Sequence, residues 1–180
     1  MAPRVVEFFK EKNIFIIDMA CGKNFMLTLD NNENVYSYGN NDLSQLGHEF
    51  TVRIQSTPKK LNLREAPVKI CCGWTHGMVL TAEANIFIWG NPFFEYNNKI
   101  PNITFPIKVY NLQKVIKIAS GFHHFAAIVE KDSTNNIYTW GINDYGQLGY
   151  STESDINLVP KEVNITEFEG TPNKVNNYKL

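Results

Sequence analysis

Apolar residues come along this chain in short runs, each closed by a polar or glycine-containing stretch, and no apolar 3.6-residue stripe persists. Short β-branched and aromatic runs of this kind predict strands rather than helices. Phe25 to Leu29 and Val35 to Tyr38 are two of them, joined by Asp30-Asn31-Asn32-Glu33-Asn34. Asn and Asp tolerate positive φ, so the joint predicts a hairpin turn. Ile86-Phe87-Ile88-Trp89 and Ile137-Tyr138-Thr139-Trp140 read as strands on the same grounds. Tyr38, Trp89 and Trp140 are each followed by glycine, where the chain can turn without a Cβ.

These runs recur. Ile17-Asp18-Met19-Ala20-Cys21-Gly22, Val68-Lys69-Ile70-Cys71-Cys72-Gly73 and Ile116-Lys117-Ile118-Ala119-Ser120-Gly121 are three versions of one segment, with their glycines 51 and 48 residues apart. Gly39, Gly90 and Gly141 follow at intervals of 51 and 51, and Gln45-Leu46-Gly47 returns as Gln147-Leu148-Gly149. A proline with an aliphatic residue three positions on marks Pro3/Val6, Pro58/Leu61, Pro106/Val109 and Pro160/Val163. The chain therefore divides into units of about 3–57, 58–105 and 106–159, with a fourth begun at 160–169 and a polar tail over 170–180. About fifty residues holding about four strands is the period of a propeller blade.

Composition narrows the function classes. With 17 basic against 18 acidic residues the net charge is -1, which argues against a surface built to bind nucleic acid. No apolar stretch is long enough for a membrane helix, and charges at Glu7, Lys10, Glu11 and Lys12 break up any signal-peptide core. Three cysteines do not make a disulfide framework. The expectation is an intracellular protein, cytoplasmic or nuclear. No cofactor is expected: no phosphate-binding glycine loop, no nucleophile elbow and no placed carboxylate pair occurs. No Cys-x-x-Cys pair suggests a metal, and no residue stands out as catalytic. Asn102-Ile103-Thr104 and Asn164-Ile165-Thr166 match the glycosylation sequon but are expected to stay unmodified.

The recurring pattern is small-small-Gly-x-x-His, an apolar strand, aromatic-Gly, Asn-x-x-x-Gln-Leu-Gly and proline. It resembles the regulator of chromosome condensation repeat, over about residues 3 to 163. The third unit matches best, through Gly121-Phe122-His123-His124, Trp140-Gly141 and Asn143 to Gly149. Phe25 replaces the histidine in the first unit, and Asn91-Pro92-Phe93-Phe94-Glu95-Tyr96 replaces the Gln-Leu-Gly turn in the second. The resemblance implies an all-β fold, a partial β-propeller of three blades with a fourth begun. Such an arc leaves open strand edges. The chain is then a fragment of a longer propeller, half of a self-associated ring, or a subunit leaning on a larger partner.

Repeat equivalence sorts the candidate residues. His76 and His124 recur at one repeat position and read as framework; His123 and His48 do not, and are expected in exposed loops. Cys21, Cys72 and Ser120 share one position, where small size on a packed strand is the common property. Partner-binding candidates are Trp74 and Phe122, at the second position of their Gly-x-x-His loops, with His123 beside them. Phe93, Phe94 and Tyr96 are too apolar for a solvated turn, and either fold under the blade or meet a partner. The expected function is protein–protein interaction. The alternative implied by the resemblance is guanine-nucleotide exchange on a Ran-like small GTPase, with His123 the one third-position residue matching that pattern; the other two are Asn24 and Thr75.

Overall fold

The computed structural model describes residues 4–49, 51–93, 100–132, 134–152 and 155–164. They form three antiparallel sheets of four strands, each in simple sequential order. The first holds β1 (Ile16–Cys21), β2 (Phe25–Asp30), β3 (Val35–Asn40) and β4 (Ile54–Lys60). The second holds β5 (Pro67–Cys72), β6 (His76–Thr81), β7 (Ile86–Gly90) and β8 (Ile103–Lys108). The third holds β9 (Val115–Ser120), β10 (His124–Lys131), β11 (Thr134–Ile142) and β12 (Ile156–Glu162). The inner strands β1, β5 and β9 lie next to one another, so the sheets fan out as blades of a partial propeller, unclosed.

The blades are held face to face by apolar side chains. Leu27 and Leu29 of the first pack against Ile70, Val79 and Trp89 of the second. Met78 and Leu80 of the second pack against Ile118, Phe125, Ala127 and Trp140 of the third. Burial follows from this stacking. β6, with a blade on either side, is buried at all six positions. β10 has a neighbour on one side only and alternates buried with half-buried along its first six residues. Part of the first blade's outer face is covered by a short helix, α1 (Glu7–Glu11), which the all-β expectation does not contain. Its Phe9 lies 5.5 Å from the Tyr36 ring and 6.4 Å from that of Tyr38.

Two irregularities recur in every blade. The inner strand carries an unpaired residue at Ile17, Val68 and Ile116, where the register slips. These bulged residues are the repeat's exposed aliphatics, at 58%, 50% and 49%. In the outer strand, three residues ending in proline stand opposite a single aromatic. They are Ser56-Thr57-Pro58 against Tyr38, Thr104-Phe105-Pro106 against Trp89, and Leu158-Val159-Pro160 against Trp140. Proline is tolerated there because a bulged position owes no ladder hydrogen bond. The proline motif thus lies in the last strand of a blade, and Pro160 belongs to β12 of the third sheet. Residues 165–180, on which the remainder of the expected fourth unit and the expected polar tail fall, lie outside the described residues.

The Asp30–Asn34 hairpin forms, for a different reason from the one its composition suggests. The positive φ falls on Glu33, and on Ala84 in the second blade. Asp30 acts instead as an acceptor, taking the amides of Asn32 and Asn34 at 2.9 and 2.8 Å and the Tyr36 hydroxyl at 3.2 Å.

Candidate protein-interaction site

The Gly-x-x-His loops join the first and second strands of each blade and share one geometry. The amides of Gly22, Gly73 and Gly121 each donate to the carbonyl three residues on, at 2.9 Å. The ring of Phe25, His76 or His124 folds back over its glycine so closely that a Cβ would overlap it. Phe25 fills the same place as the histidines, so the first unit keeps the architecture without the imidazole. The aromatic-Gly motif closes the loop from the other side. Asn40, Asn91 and Ile142 donate to the third-position carbonyls of Asn24, Thr75 and His123 at 2.8, 3.0 and 3.0 Å. Gly39, Gly90 and Gly141 have φ of 117°, 96° and 117°, and a side chain there would strike those carbonyls.

The second positions link the blades. Lys23 donates its amide to the Trp74 carbonyl and Trp74 donates to that of Phe122, both at 3.0 Å. The side chains follow the backbone ladder. Lys23 Nζ sits 4.4 Å over the Trp74 ring, and Trp74 stacks on Phe122 with centroids 4.0 Å apart and 29° between planes. Each such contact contributes on the order of 1 kcal/mol. Phe122 remains 46% exposed and Trp74 half-buried. Beside the row lies a pocket of about 240 Å³ lined by Lys23, Asn24, Asn40, Asp42, Gln45 and Trp74. Sequence reasoning singles out Trp74 and Phe122 but misses Lys23; its repeat equivalence to both is the signal that finds it.

Other candidates sit elsewhere. His123 is 4% exposed, not in an exposed loop, because its ring turns inward edge-on to Phe122 at 4.3 Å. His48 is half-buried, with Nε2 2.9 Å from Ser37 Oγ. Burial, and secondarily the Lys59 charge, hold it below its ordinary pKa. Phe93 is 7% exposed in the core between the second and third blades, the buried one of its two readings. Phe94 and Tyr96 lie outside the described residues. Cys21 is exposed on the first blade rather than packed, whereas Cys72 packs against the Phe25 cluster. Burial raises the Cys71 thiol to about 12 and raises that of Cys72 as well. Among the described residues no group of three metal-ligating side chains occurs, and no helix is long and apolar enough to cross a membrane.

The regulator of chromosome condensation (RCC1) repeat profile matches residues 32–80 and 135–175, together half of the chain. The chain belongs to the RCC1 repeat family. The first matched RCC1 segment runs from the hairpin of one blade through β3 and β4 into β5 and β6 of the next. One repeat thus ties two blades. The chain is 25% identical to the zebrafish (Danio rerio) Protein RCC2 homolog over 94% of its length, and 32% identical to the human probable E3 ubiquitin-protein ligase HERC4 over 84%. It spans 39% and 14% of those proteins. Among solved structures it superimposes on Prp20p of Saccharomyces cerevisiae with a TM-score of 0.69 and 27% identity, covering 90% of this chain and 39% of Prp20p. The Prp20p structure is described together with its binding properties to Gsp1p and histones.

Proposed function

We propose that this RCC1-repeat chain is a protein-interaction platform, working as part of a larger assembly, whose contact face is the row of Gly-x-x-His loops. The observation that carries this reading is the Lys23–Trp74–Phe122 row. Its backbone is fixed by an inter-blade ladder, yet it leaves aromatic surface open to solvent. Aromatic side chains already held in place before docking lose little entropy on binding and carry much of an interface's energy. The open face of the third blade, and the relatives' greater length, support membership of something larger. An intracellular setting, cytoplasmic or nuclear, suits the three free thiols.

The test is a photo-reactive residue placed at position 122 and, separately, at position 33 on the hairpin tip. The reading expects a discrete protein adduct from position 122 that disappears with Trp74→Ala, and none from position 33. Equal labelling from both positions, or none from 122, would overturn it.

Exchange on a Ran-like GTPase is the second reading, and the likeness to Prp20p favours it. Its residue support is thin: His123 is buried, and Thr75 is 4% exposed with its hydroxyl bonded to the Asn91 carbonyl. Release of a fluorescent guanine nucleotide from a Ran-type GTPase at its spontaneous rate in the presence of the chain would dismiss exchange and leave the platform reading standing.

A further inference from the structure

The outer rim between the first two blades holds a groove of about 1040 Å³, formed by β4 and the connection to β5 on one side and β8 on the other. The blades provide an internal control for reading it, because residues at equivalent repeat positions meet the same structural demand. At the bulge position before the proline the blades carry Thr57, Phe105 and Val159. One residue past the proline they carry Lys59, Ile107 and Lys161, and four past it Asn62, Tyr110 and Asn164. The framework therefore accepts a polar residue at all three positions. The second blade instead places large apolar groups there and leaves them exposed: Phe105 at 57%, Ile107 at 49% and Tyr110 at 73%. All three line the groove, over a floor that includes the buried Phe87.

The opposite wall is basic. Lys59 and Arg64 are exposed there, and neither makes an ion pair among the described residues. Of the two carboxylates in the lining, Glu65 is already engaged by the Thr81 hydroxyl at 2.7 Å, the Asn85 amide at 2.9 Å and Lys108 at 3.9 Å. Glu49 is exposed. The groove thus pairs an apolar wall that the fold does not require with cations that the fold does not neutralise. Exposed apolar surface gathered in one concavity marks a binding site more than scattered residues do.

We infer that this inter-blade groove binds an extended acidic peptide segment of a partner protein, with an aromatic or large aliphatic anchor seated on Phe105, Ile107 and Tyr110 and flanking carboxylates facing Lys59 and Arg64. The surface is separate from the loop row and goes beyond it.

The test uses the full chain and a fluorescein-labelled peptide with the core Glu-Glu-Phe-Glu-Glu, read by anisotropy. Two control peptides replace the Phe by Ala or the four Glu by Lys. Saturable binding is expected for the first peptide, at least about tenfold weaker for each control. Phe105→Thr/Ile107→Thr removes the apolar wall without changing the charge of the groove. It is expected to weaken binding by at least about tenfold with an unchanged thermal midpoint. Lys59→Ala/Arg64→Ala is expected to weaken binding and flatten its salt dependence. No saturable binding of the Phe-centred acidic peptide, equal binding of the Lys-flanked one, or undiminished binding by folded Phe105→Thr/Ile107→Thr would overturn the inference.

Discussion

The imidazole of His76 in the second blade reaches Ser120 in the third, Nε2 to Oγ at 2.6 Å, while its ring lies 4.3 Å from that of Phe125. One blade earlier the same two positions hold Phe25 and Cys72, which share an apolar cluster. The framework position therefore has two solutions: a hydrogen-bonded pair and an apolar pair. Ser120→Cys leaves the buried imidazole without its hydroxyl partner, at a cost of about 1–3 kcal/mol, whereas after His76→Phe the half-buried Ser120 hydroxyl keeps only its long contacts to the Gly121 and His124 carbonyls, at 3.4 and 3.5 Å. His76→Phe and Ser120→Cys are each expected to destabilise, and the double variant by less than the sum, by at least about 0.5 kcal/mol. Urea midpoints of the four proteins measure this; strict additivity would show that the two positions are not coupled.

The same histidine makes stability depend on pH. Burial, with smaller effects from His123 and His124, pushes its pKa down to about 3. Its Nδ1 is buried with no hydrogen-bond partner among the described residues, which further disfavours a second N–H. In the unfolded chain the ring takes up a proton below about 6.5. Between those values the unfolded state binds more protons, so this contribution is complete above about 6.5 and declines as pH falls toward 3. His48 and His124 are shifted in the same direction. Unfolding midpoints from pH 6.5 to 5, above the carboxylate range, are expected to fall in the native chain and to fall less in His76→Phe. Parallel slopes would refute the assignment.

Trp89 sits in the apolar cluster between the first two blades, and its Nε1 donates across it to the buried Gln45 carbonyl at 2.9 Å. Trp89→Phe removes the donor, strands a buried acceptor and leaves a small void. The expected cost is about 1–3 kcal/mol in denaturant unfolding. A change under about 0.5 kcal/mol would mean that the carbonyl finds another donor.

The glycines at positive φ are not equivalent. At Gly90 a side chain would also meet the Thr75 carbonyl, whereas at Gly146 nothing lies within 4 Å. Gly146→Ala is expected to cost about 1–2 kcal/mol, the backbone penalty alone. Gly90→Ala is expected to cost clearly more, because the loop carbonyl must move. Thermal melts that rank the two the other way would contradict the proposed lock between aromatic-Gly and Gly-x-x-His.

The blade period, the strands and the framework role of His76 were legible in the sequence because each position recurs and recurrence averages out local detail. The proline recurrence was visible too, but its cause was not. It depends on three residues bulging opposite Tyr38, Trp89 or Trp140 across a strand pair, which no linear pattern displays. The burial of His123 escapes the linear pattern for a related reason. This histidine occurs once, beside a framework histidine, and only packing against Phe122 decides which way its ring turns. The hydroxyls of Ser37 and Thr139 hold the carbonyls of Leu46 and Leu148, both at 2.7 Å, and Ile88 stands in their place in the blade that lacks Gln-Leu-Gly. That correlation was present in the sequence, but only the structure says what it means.

The proposed contact face is the loop row. The most direct measurement is the affinity of the protein captured at position 122 for three folded chains: native, Trp74→Ala, and Ile137→Ala, the last truncating an exposed aliphatic away from the row. Trp74→Ala is expected to weaken binding by at least about tenfold and Ile137→Ala by no more than about twofold. Native affinity in Trp74→Ala, or the larger loss in Ile137→Ala, would contradict it.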